Sequence, residues 1–571
     1  MRESKLTYAL CTGVAVATLT GCAEQNPYST HPNILIVMLD DLGFSDLEPF
    51  GGEIHTPTIN ALAEQGKIFT RFHTSPLSAP ARSMLMTGVD NHRNGLGNMP
   101  PAHFTNQYMQ AGYEGYLRDD VMTIPEILSS AGYYSCISGK WHLGAGEYDP
   151  HNRGFDDSFV LLSGGASHFS SGFSLSDGES PLTYYTENGE RIERLPEDFY
   201  SSKSYADKMI EYIDKCPEER PLFGYLAFTC GHDPLHVPAE WADRYKGRYD
   251  EGYDVIRKTR YDRQKAMGII SPETKLNHSS ETAHDWSSLS GEQRAEQSRR
   301  MEIYAAMIDY VDMSLGRVVD KLKSSGRYDN TIIFVMVDNG ANPHEAWGYP
   351  GNSEEQIARD YDNSLENMGA ETSFISLGQS WAEVCNTPYS LFKMTTMEGG
   401  ICTPLVVAGG GTESGRMDTC NVLHISDVLP TILELTGCTR PAQYRGVELV
   451  PLYGKSLYSI LMGDVEVLRD DSEPLCFEMG ECKAVIKGDW KAVLLDYPFG
   501  DGETWRLYNL KSDLIEKEDL AQCNPDKLKE MVACWMSYAD SCGYIKGNGE
   551  PVVEVLEDAK LFYNYDLLLI R

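Results

Sequence analysis

The sequence predicts an α/β protein: a large, mostly parallel sheet flanked by helices, followed by a smaller C-terminal antiparallel sheet plus one helix. Three observations carry that prediction. Asn33 to Leu39 reads NILIVML, a continuous apolar run with β-branched residues that stops abruptly at Asp40-Asp41, the pattern of a strand buried on both faces. Thr331 to Val337, TIIFVMV, stops in the same way at Asp338-Asn339. From about Arg469 the texture changes to short strand-like pieces joined by Gly and Asp turns, which suits antiparallel pairing.

Between the two buried runs, strand-like and helix-like segments alternate, which favours a parallel sheet with crossover helices. Leu222 to Thr229 (LFGYLAFT) is a further strand. From about Arg299 to Lys323 the residues Tyr304, Met307, Ile308, Val311, Leu315, Val318, Val319 and Leu322 recur at helical spacing, and Ser324-Ser325-Gly326 stops the helix. The polar stretch from about Asn277 to Arg300 reads as a surface excursion before it. In the C-terminal part, LCFEM at 475, KAVI at 483, WKAVLLD at 490 and WRLYNL at 505 are strands. A helix follows from about Pro525 to Ala539, with Leu528, Met531, Val532 and Trp535 on one face. The expected division is a leader over residues 1–22, a main domain over 30–465 and a small α/β subdomain over 466–571.

With 571 residues, 42% of them apolar, the chain can bury a large core. Its 49 Lys and Arg against 84 Asp and Glu give a net charge of −35, which repels a phosphate backbone and excludes general nucleic-acid binding. Past the first two dozen residues no apolar run is long enough to span a bilayer, which argues against a polytopic membrane protein. Arg2 and Lys5 precede an apolar stretch from Leu6 to Leu19, and Leu19-Thr20-Gly21-Cys22 follows, the pattern of a secretory signal. Those last residues resemble a bacterial lipobox. That implies cleavage before Cys22, acylation of that cysteine, and a periplasmic or cell-surface lipoprotein that meets the membrane only through its lipid; an ordinary cleaved signal would also mean export. Of the 14 cysteines, Cys11 and Cys22 lie in this leader and the others lack the dense pattern of a disulfide scaffold.

Asp40-Asp41 and Asp338-Asn339 can meet only if their two strands are neighbours in the sheet. The result would be an oxygen-rich hole whose like charges call for a cation, and hard donors without a nearby Cys or His cluster point to Ca²⁺ or Mg²⁺ rather than Zn²⁺. Either pair alone can equally cap a helix or turn the chain.

Ser78-Ala79-Pro80-Ala81-Arg82, running on through Ser83 to Gly88, resembles the sulfatase signature, whose first position, Cys or Ser, is oxidised to formylglycine. Gly132 to Leu143 (GYYSCISGKWHL) is similar to the family's second signature. The resemblance continues through Gly231 to His236 (GHDPLH), the turn Asp338-Asn339-Gly340, Lys393 before Glu398-Gly399-Gly400, and His424 to Thr431 (HISDVLPT). YDNSLENMG at 361 and MEIYAAMIDYVD at 301 look like the bacterial arylsulfatase subgroup.

This resemblance implies an alkaline-phosphatase-like sulfatase fold and an enzyme that releases inorganic sulfate from an aryl, alkyl or carbohydrate sulfate ester. It implies Ca²⁺ held by Asp40, Asp41, Asp338, Asn339 and the residue made from Ser78, whose hydrated aldehyde supplies the nucleophile. Arg82, Lys140, His142, His232 and Lys393 match the family's residues around the sulfate, where they neutralise charge on the transferring group. By the same resemblance Asp338 helps to deprotonate the nucleophile, His142 assists elimination, and His232 with Lys393 protonates the leaving oxygen. Ser at position 78, where many relatives have Cys, implies a radical-SAM maturase of the anaerobic type acting before export. His168 and His236 are nearby candidates for either substrate contact or structural support. Two other functions fit the residues: a phosphatase or phosphonate-ester hydrolase with unmodified Ser78, and a lipoprotein that binds sulfated glycans without turning them over.

Overall fold

The structure, a computed structural model, describes residues 31–99, 103–176, 185–276, 285–412, 414–464 and 467–550. The leader, with Leu19 to Cys22, lies outside the described residues. One sheet of eleven strands organises the main domain. In chain order these are β1 (Asn33–Leu39), β2 (Gly66–His73), β3 (Tyr134–Lys140), β4 (Asp157–Leu161), β5 (Tyr185–Glu187), β6 (Glu190–Ile192), β7 (Leu222–Ala227), β8 (Thr331–Val337), β9 (Cys402–Gly409), β10 (Arg416–Asp418) and β11 (Leu423–His424). Across the sheet the order is β10-β2-β9-β8-β1-β7-β3-β4-β5-β6, with β11 also on β2. The segment β8-β1-β7-β3-β4 is parallel throughout. Antiparallel pairs flank it, with β9 against both β8 and β2 on one side and β5 and β6 on the other.

The reason β1 is apolar at every position is visible in its surroundings. Leu35, Val37 and Leu39 point into one core, with the long helix Gly291–Ser324 packed on it, and Ile34, Ile36 and Met38 point into another, with the helix Ser78–Thr87. A strand between two helical layers has no wet face. The register sets Leu39 opposite Val337, so the chain leaves β1 and β8 side by side with Asp40 next to Asp338.

The long helix begins at Gly291, well before the sequence-based start near Arg299, so the end of the expected surface excursion is helical. Ser290 Oγ accepts from the Gln293 N–H at 3.2 Å, and the Gln293 side chain accepts from the Ser290 N–H at 2.9 Å, closing a capping box. Those first turns are largely exposed and therefore lack the apolar stripe that marks the rest of the helix.

After a short hairpin, β12 (Gln443–Tyr444) with β13 (Val447–Glu448), the C-terminal part forms a second sheet. It is an antiparallel meander of β14 (Leu475–Met479), β15 (Cys482–Lys487), β16 (Trp490–Leu494) and β17 (Arg506–Asn509). The final helix, Pro525–Cys542, packs Met531, Trp535 and Tyr538 against it and runs a little beyond the expected Ala539. The twelve described cysteines are all unpaired.

Buried charge joins apolar contact in tying this sheet to the main domain. The His92 ring nitrogens lie 2.8 Å from Glu478 Oε2 and 3.3 Å from Asp90 Oδ1, and Tyr538 donates to Asp90 Oδ2 at 2.8 Å. Burial alone would lower His92; Asp90 and Glu478 outweigh it and hold the imidazole up at about 9. A group raised above its unfolded value stabilises fully below that value and loses the contribution as pH rises through the folded one. Thermal unfolding followed from pH 6.5 to 9.5 is therefore expected to lose up to about 3 kcal/mol of stability through His92. A His92→Gln variant is expected to be less stable at pH 6.5 and to show a flatter pH profile.

Candidate active site

The site is built at the carboxyl ends of β1, β8, β3 and β7, the edge of an α/β sheet where ligands gather. Ser78 is the first residue of the helix Ser78–Thr87 and Arg82 lies one turn later on the same face; both are fully buried. Ser78 Oγ lies 3.0 Å from Asn339 Oδ1 and 3.2 Å from Asp40 Oδ1. Asp41 takes a left-handed backbone, φ +60°. Asp40, Asp41 and Asp338 each place a carboxylate oxygen within 4.8 Å of the others, all of them buried.

Basic side chains close the cluster. Arg82 donates from Nε and Nη2 to Asp338 Oδ2 at 2.9 and 2.8 Å, and Nη2 also lies 3.5 Å from Asp40 Oδ1. Lys140, the last residue of β3, donates to Asp40 Oδ2 at 2.8 Å. Lys393, from the loop before β9, donates to Asp41 Oδ2 at 2.7 Å. Burial pushes Asp338 above the usual carboxylate range, with Asp40 adding to the effect and Arg82 opposing it. Burial also lowers Lys140, against the pull of Asp40. For Lys393 the same burial is outweighed by Asp41 and Asp40, and its ammonium is held above its ordinary value. Three carboxylates, the Asn339 amide oxygen and the residue 78 oxygen make an all-oxygen donor set. Its chemistry fits a hard divalent cation.

Two imidazoles border this cluster. His232 faces the carbonyl of Asp233 through Nδ1 at 3.0 Å, so that nitrogen carries the proton, and Nε2 is left facing Asp41 Oδ2 at 3.4 Å. His142 sits at φ +58° and its buried Nδ1 has no protein partner. Burial drives both rings far below the ordinary histidine value, with Lys140 and Lys393 adding to it. The loop after β4 closes over them: a Cβ on Gly164 would come within 2.8 Å of His142 Cε1, and one on Gly165 within 3.1 Å of the His232 ring. The sequence reading missed these two glycines, although a Gly pair just past a strand end signals close backbone approach.

His168 and His236 turn out to be supports. His168 lies 2.7 Å from Ser201 Oγ and donates to the His232 carbonyl at 3.1 Å; His236 donates to the Ser373 carbonyl at 2.8 Å and accepts the His168 N–H at 3.4 Å. With both ring nitrogens engaged, they hold the His232 segment and leave nothing for substrate.

The sequence reading also missed a group beside His232 and Lys393. Asp233 Oδ2 accepts from Asn342 Nδ2 at 3.0 Å and from Tyr349 OH at 2.8 Å, and burial pushes its carboxyl up to about 7. His344 lies 2.8 Å from Asn342 Oδ1, and burial with Lys393 lowers it to about 3. Asp233 stands in the GHDPLH stretch but was given no role there, and no periodicity or motif marks Asn342, His344 or Tyr349; only the folding of the segment 340–350 onto β7's loop brings them together.

The family model described as Sulfatase matches residues 32–438, more than half of the chain. The chain belongs to the sulfatase family. An uncharacterized sulfatase of Schizosaccharomyces pombe is 38% identical over 541 residues, 92% of this chain and 96% of that protein. An arylsulfatase of Klebsiella aerogenes is 41% identical over 449 residues, 78% of this chain and 95% of that one. Among solved structures, Ps i-CgsB in complex with k-i-k-neocarrahexaose superimposes with a TM-score of 0.64 at 22% identity, covering 93% of this chain and all of that one. At 17% identity, BT4656 in complex with D-Glucosamine-2-N, 6-O-disulfate gives 0.59, over 92% of this chain and all of that one. This sulfatase is thus an enzyme that hydrolyses sulfate esters, on the mixed, mostly parallel sheet that its sequence predicts.

Arg82 is the counter-ion of Asp338, donating to it twice, at 2.9 and 2.8 Å. Replacing it, Arg82→Met, leaves Asp338 buried and unpaired, and urea unfolding at neutral pH is expected to show a loss of about 3–5 kcal/mol.

Proposed function

We propose that this sulfatase works through a formylglycine made from Ser78 by a maturase, and through Ca²⁺ held by Asp40, Asp41, Asp338, Asn339 and the oxygen at position 78. The observation that carries the proposal is the seat of Ser78: a buried oxygen between Asp40 and Asn339, at the start of the helix that presents Arg82. When present, the aldehyde hydrate supplies a hydroxyl nucleophile with a built-in second hydroxyl for release of sulfate, and the cation supplies fixed positive charge against a sulfate oxygen.

The chain's own residues do the rest. Arg82 and Lys140 neutralise charge on the sulfuryl group in a pocket drier than bulk water. Asp338, placed under Arg82, helps to take the proton of the nucleophile. His142 is a neutral base with a free buried Nδ1, suited to accept a proton from the group at 78 during release. His232 keeps Nδ1–H on the Asp233 carbonyl, so Nε2 is the nitrogen that meets the substrate; it must first take up a proton, the one released by the nucleophile, before it can pass one to the leaving oxygen, with Lys393 beside it to offset the developing charge. The oxygen-only donor set and the family membership favour this reading over a phosphatase using unmodified Ser78 and over a lipoprotein that binds sulfated glycans without turnover.

The substrate we propose is a sulfated small molecule or glycan. The Klebsiella relative is an arylsulfatase, and the solved neighbours are complexes with k-i-k-neocarrahexaose and with D-Glucosamine-2-N, 6-O-disulfate. We also propose export and lipid attachment at Cys22, on the strength of the leader sequence.

Peptide mass spectrometry of protein made with a maturase is expected to find residue 78 two hydrogens lighter than serine. Ser78→Ala is expected to cut sulfate release by about ten-thousandfold or more. Unmodified serine under those conditions, with phosphate esters turned over and sulfate esters untouched, would establish the phosphatase reading instead. For the cation, Ca²⁺ added to chelator-treated protein at about a hundredfold excess over its Kd is expected to raise stability by about 2.7 kcal/mol in a thermal melt. Asp41→Asn is expected to shrink that shift, and an unchanged melt in the parent protein would remove Ca²⁺ from the proposal.

A further inference from the structure

Lys393 sits in a loop that does not hold its own shape. Leu391 and Met394, on either side of it, both take left-handed backbone, φ +59° and +72°, which branched and long side chains adopt only when their surroundings enforce it. Part of the enforcement is direct hydrogen bonding, with the Lys393 N–H on the Ala341 carbonyl at 3.2 Å and the Met394 N–H on the Pro76 carbonyl at 2.9 Å; the rest comes from Glu398-Gly399-Gly400. A Cβ on Gly399 would meet the Leu391 carbonyl at 2.2 Å, and one on Gly400 the Thr395 carbonyl at 2.0 Å, so these backbones press directly on the two flanks of Lys393. The same pair presses on the metal-ligand turn: a Cβ on Gly340 would meet the Gly399 carbonyl at 1.9 Å, and the Gly340 N–H donates to the Gly400 carbonyl at 3.1 Å.

What anchors this pair is the side chain just before it. Glu398 is buried and takes His73 Nε2 at 3.0 Å on one oxygen and Lys491 Nζ at 2.7 Å on the other. Lys491 lies on β16 of the C-terminal sheet, is fully buried, and also ion-pairs with Glu516 Oε1 at 2.7 Å. Glu516 Oε2 in turn accepts the Glu398 N–H at 2.6 Å, and Glu516 itself takes φ +55°. Two carboxylates, a lysine and a histidine thus form a closed buried unit, with His73 and Glu398 on the main-domain side of the seam and Lys491 and Glu516 on the side of the C-terminal sheet.

We infer that Lys491 is a positioning residue of the active site: the C-terminal sheet, through the Lys491–Glu398–Glu516 unit, holds Lys393 at the leaving oxygen. The inference rests on the proposed role of Lys393. The C-terminal sheet contributes no side chain to the carboxylate cluster, yet the loop that does is fixed from that sheet.

The test compares Lys491→Met, Lys393→Met and the double variant in the full-length, matured enzyme, on aryl sulfates of graded phenol acidity. With Lys393 displaced, a poor leaving group suffers most. Lys491→Met is expected to lose about a hundredfold in kcat/KM on phenyl sulfate and about tenfold on 4-nitrophenyl sulfate, the scale of an ångström-sized misplacement. The double variant is expected to be no worse than Lys393→Met, because the two act as one unit. A crystal structure of Lys491→Met is expected to show Lys393 Nζ withdrawn from Asp41. Equal losses on both esters with a lower melting temperature, or an unmoved Lys393, would reduce Lys491 to a purely structural residue and overturn the inference. If Lys393→Met itself loses equally on both esters, the leaving-group role of Lys393 fails, while the crystal structure still decides whether Lys491 places it. Should Lys491→Met fail to fold, Glu398→Gln, which keeps the shape and removes the charge, is read in the same way.

Discussion

Three carboxylates forced together in a dry pocket are the constraint around which this molecule is arranged. Asp40, Asp41 and Asp338 are fully buried and mutually within 4.8 Å, a concentration of charge that proteins tolerate only with compensating cations. Arg82, Lys140 and Lys393 supply that compensation one to one. Each arrives from a different element, and each of those elements must be placed to within a fraction of an ångström. The sheet order β8-β1-β7-β3 is what makes this possible: it delivers Asp338, Asp40, His232 and Lys140 from successive strand ends onto one edge.

The same constraint explains why so much polar machinery lies behind the site. His168 and His236 spend both ring nitrogens holding the His232 segment. Gly164 and Gly165 remove the side chains that would collide with the rings of His142 and His232. Behind Lys393, the buried Glu398 is neutralised by a lysine from the other sheet. A charged group in such surroundings keeps its geometry because every alternative leaves an ion unpaired. The anchoring groups and the reacting groups therefore form one electrostatic system that spans both sheets.

Much of the fold was legible because its signal is local. The strands β1 and β8 announce themselves by unbroken apolar runs ending in acidic pairs, and the body of the long helix by its 3.6-residue stripe. The start of that helix was not legible, because a capped and solvent-exposed first turn carries no apolar period. Most of the site was read through motif resemblance, and the structure gathers all of Asp40, Asp41, Ser78, Arg82, Lys140, His142, His232, Asp338, Asn339 and Lys393 into one pocket. The motif around Gly231 to His236 singled out His232 but left His236 open between substrate contact and support, and only the packed chain shows it to be a brace.

By itself the sequence determined which strands are buried, that a hard-cation oxygen site is available, and which residues carry the sulfatase signatures, since each of these is written in neighbouring residues or in short spacings. The tertiary structure alone decided that β1 and β8 are neighbours, that Asp233, Asn342, His344 and Tyr349 gather beside His232 and Lys393, and that Lys491 closes the charge balance of Glu398. Those relations join residues distant in sequence, and burial strips away the water that would otherwise make their partners optional. Without that water each charge must find its counter-ion inside the fold, and only the packed chain shows which one it found.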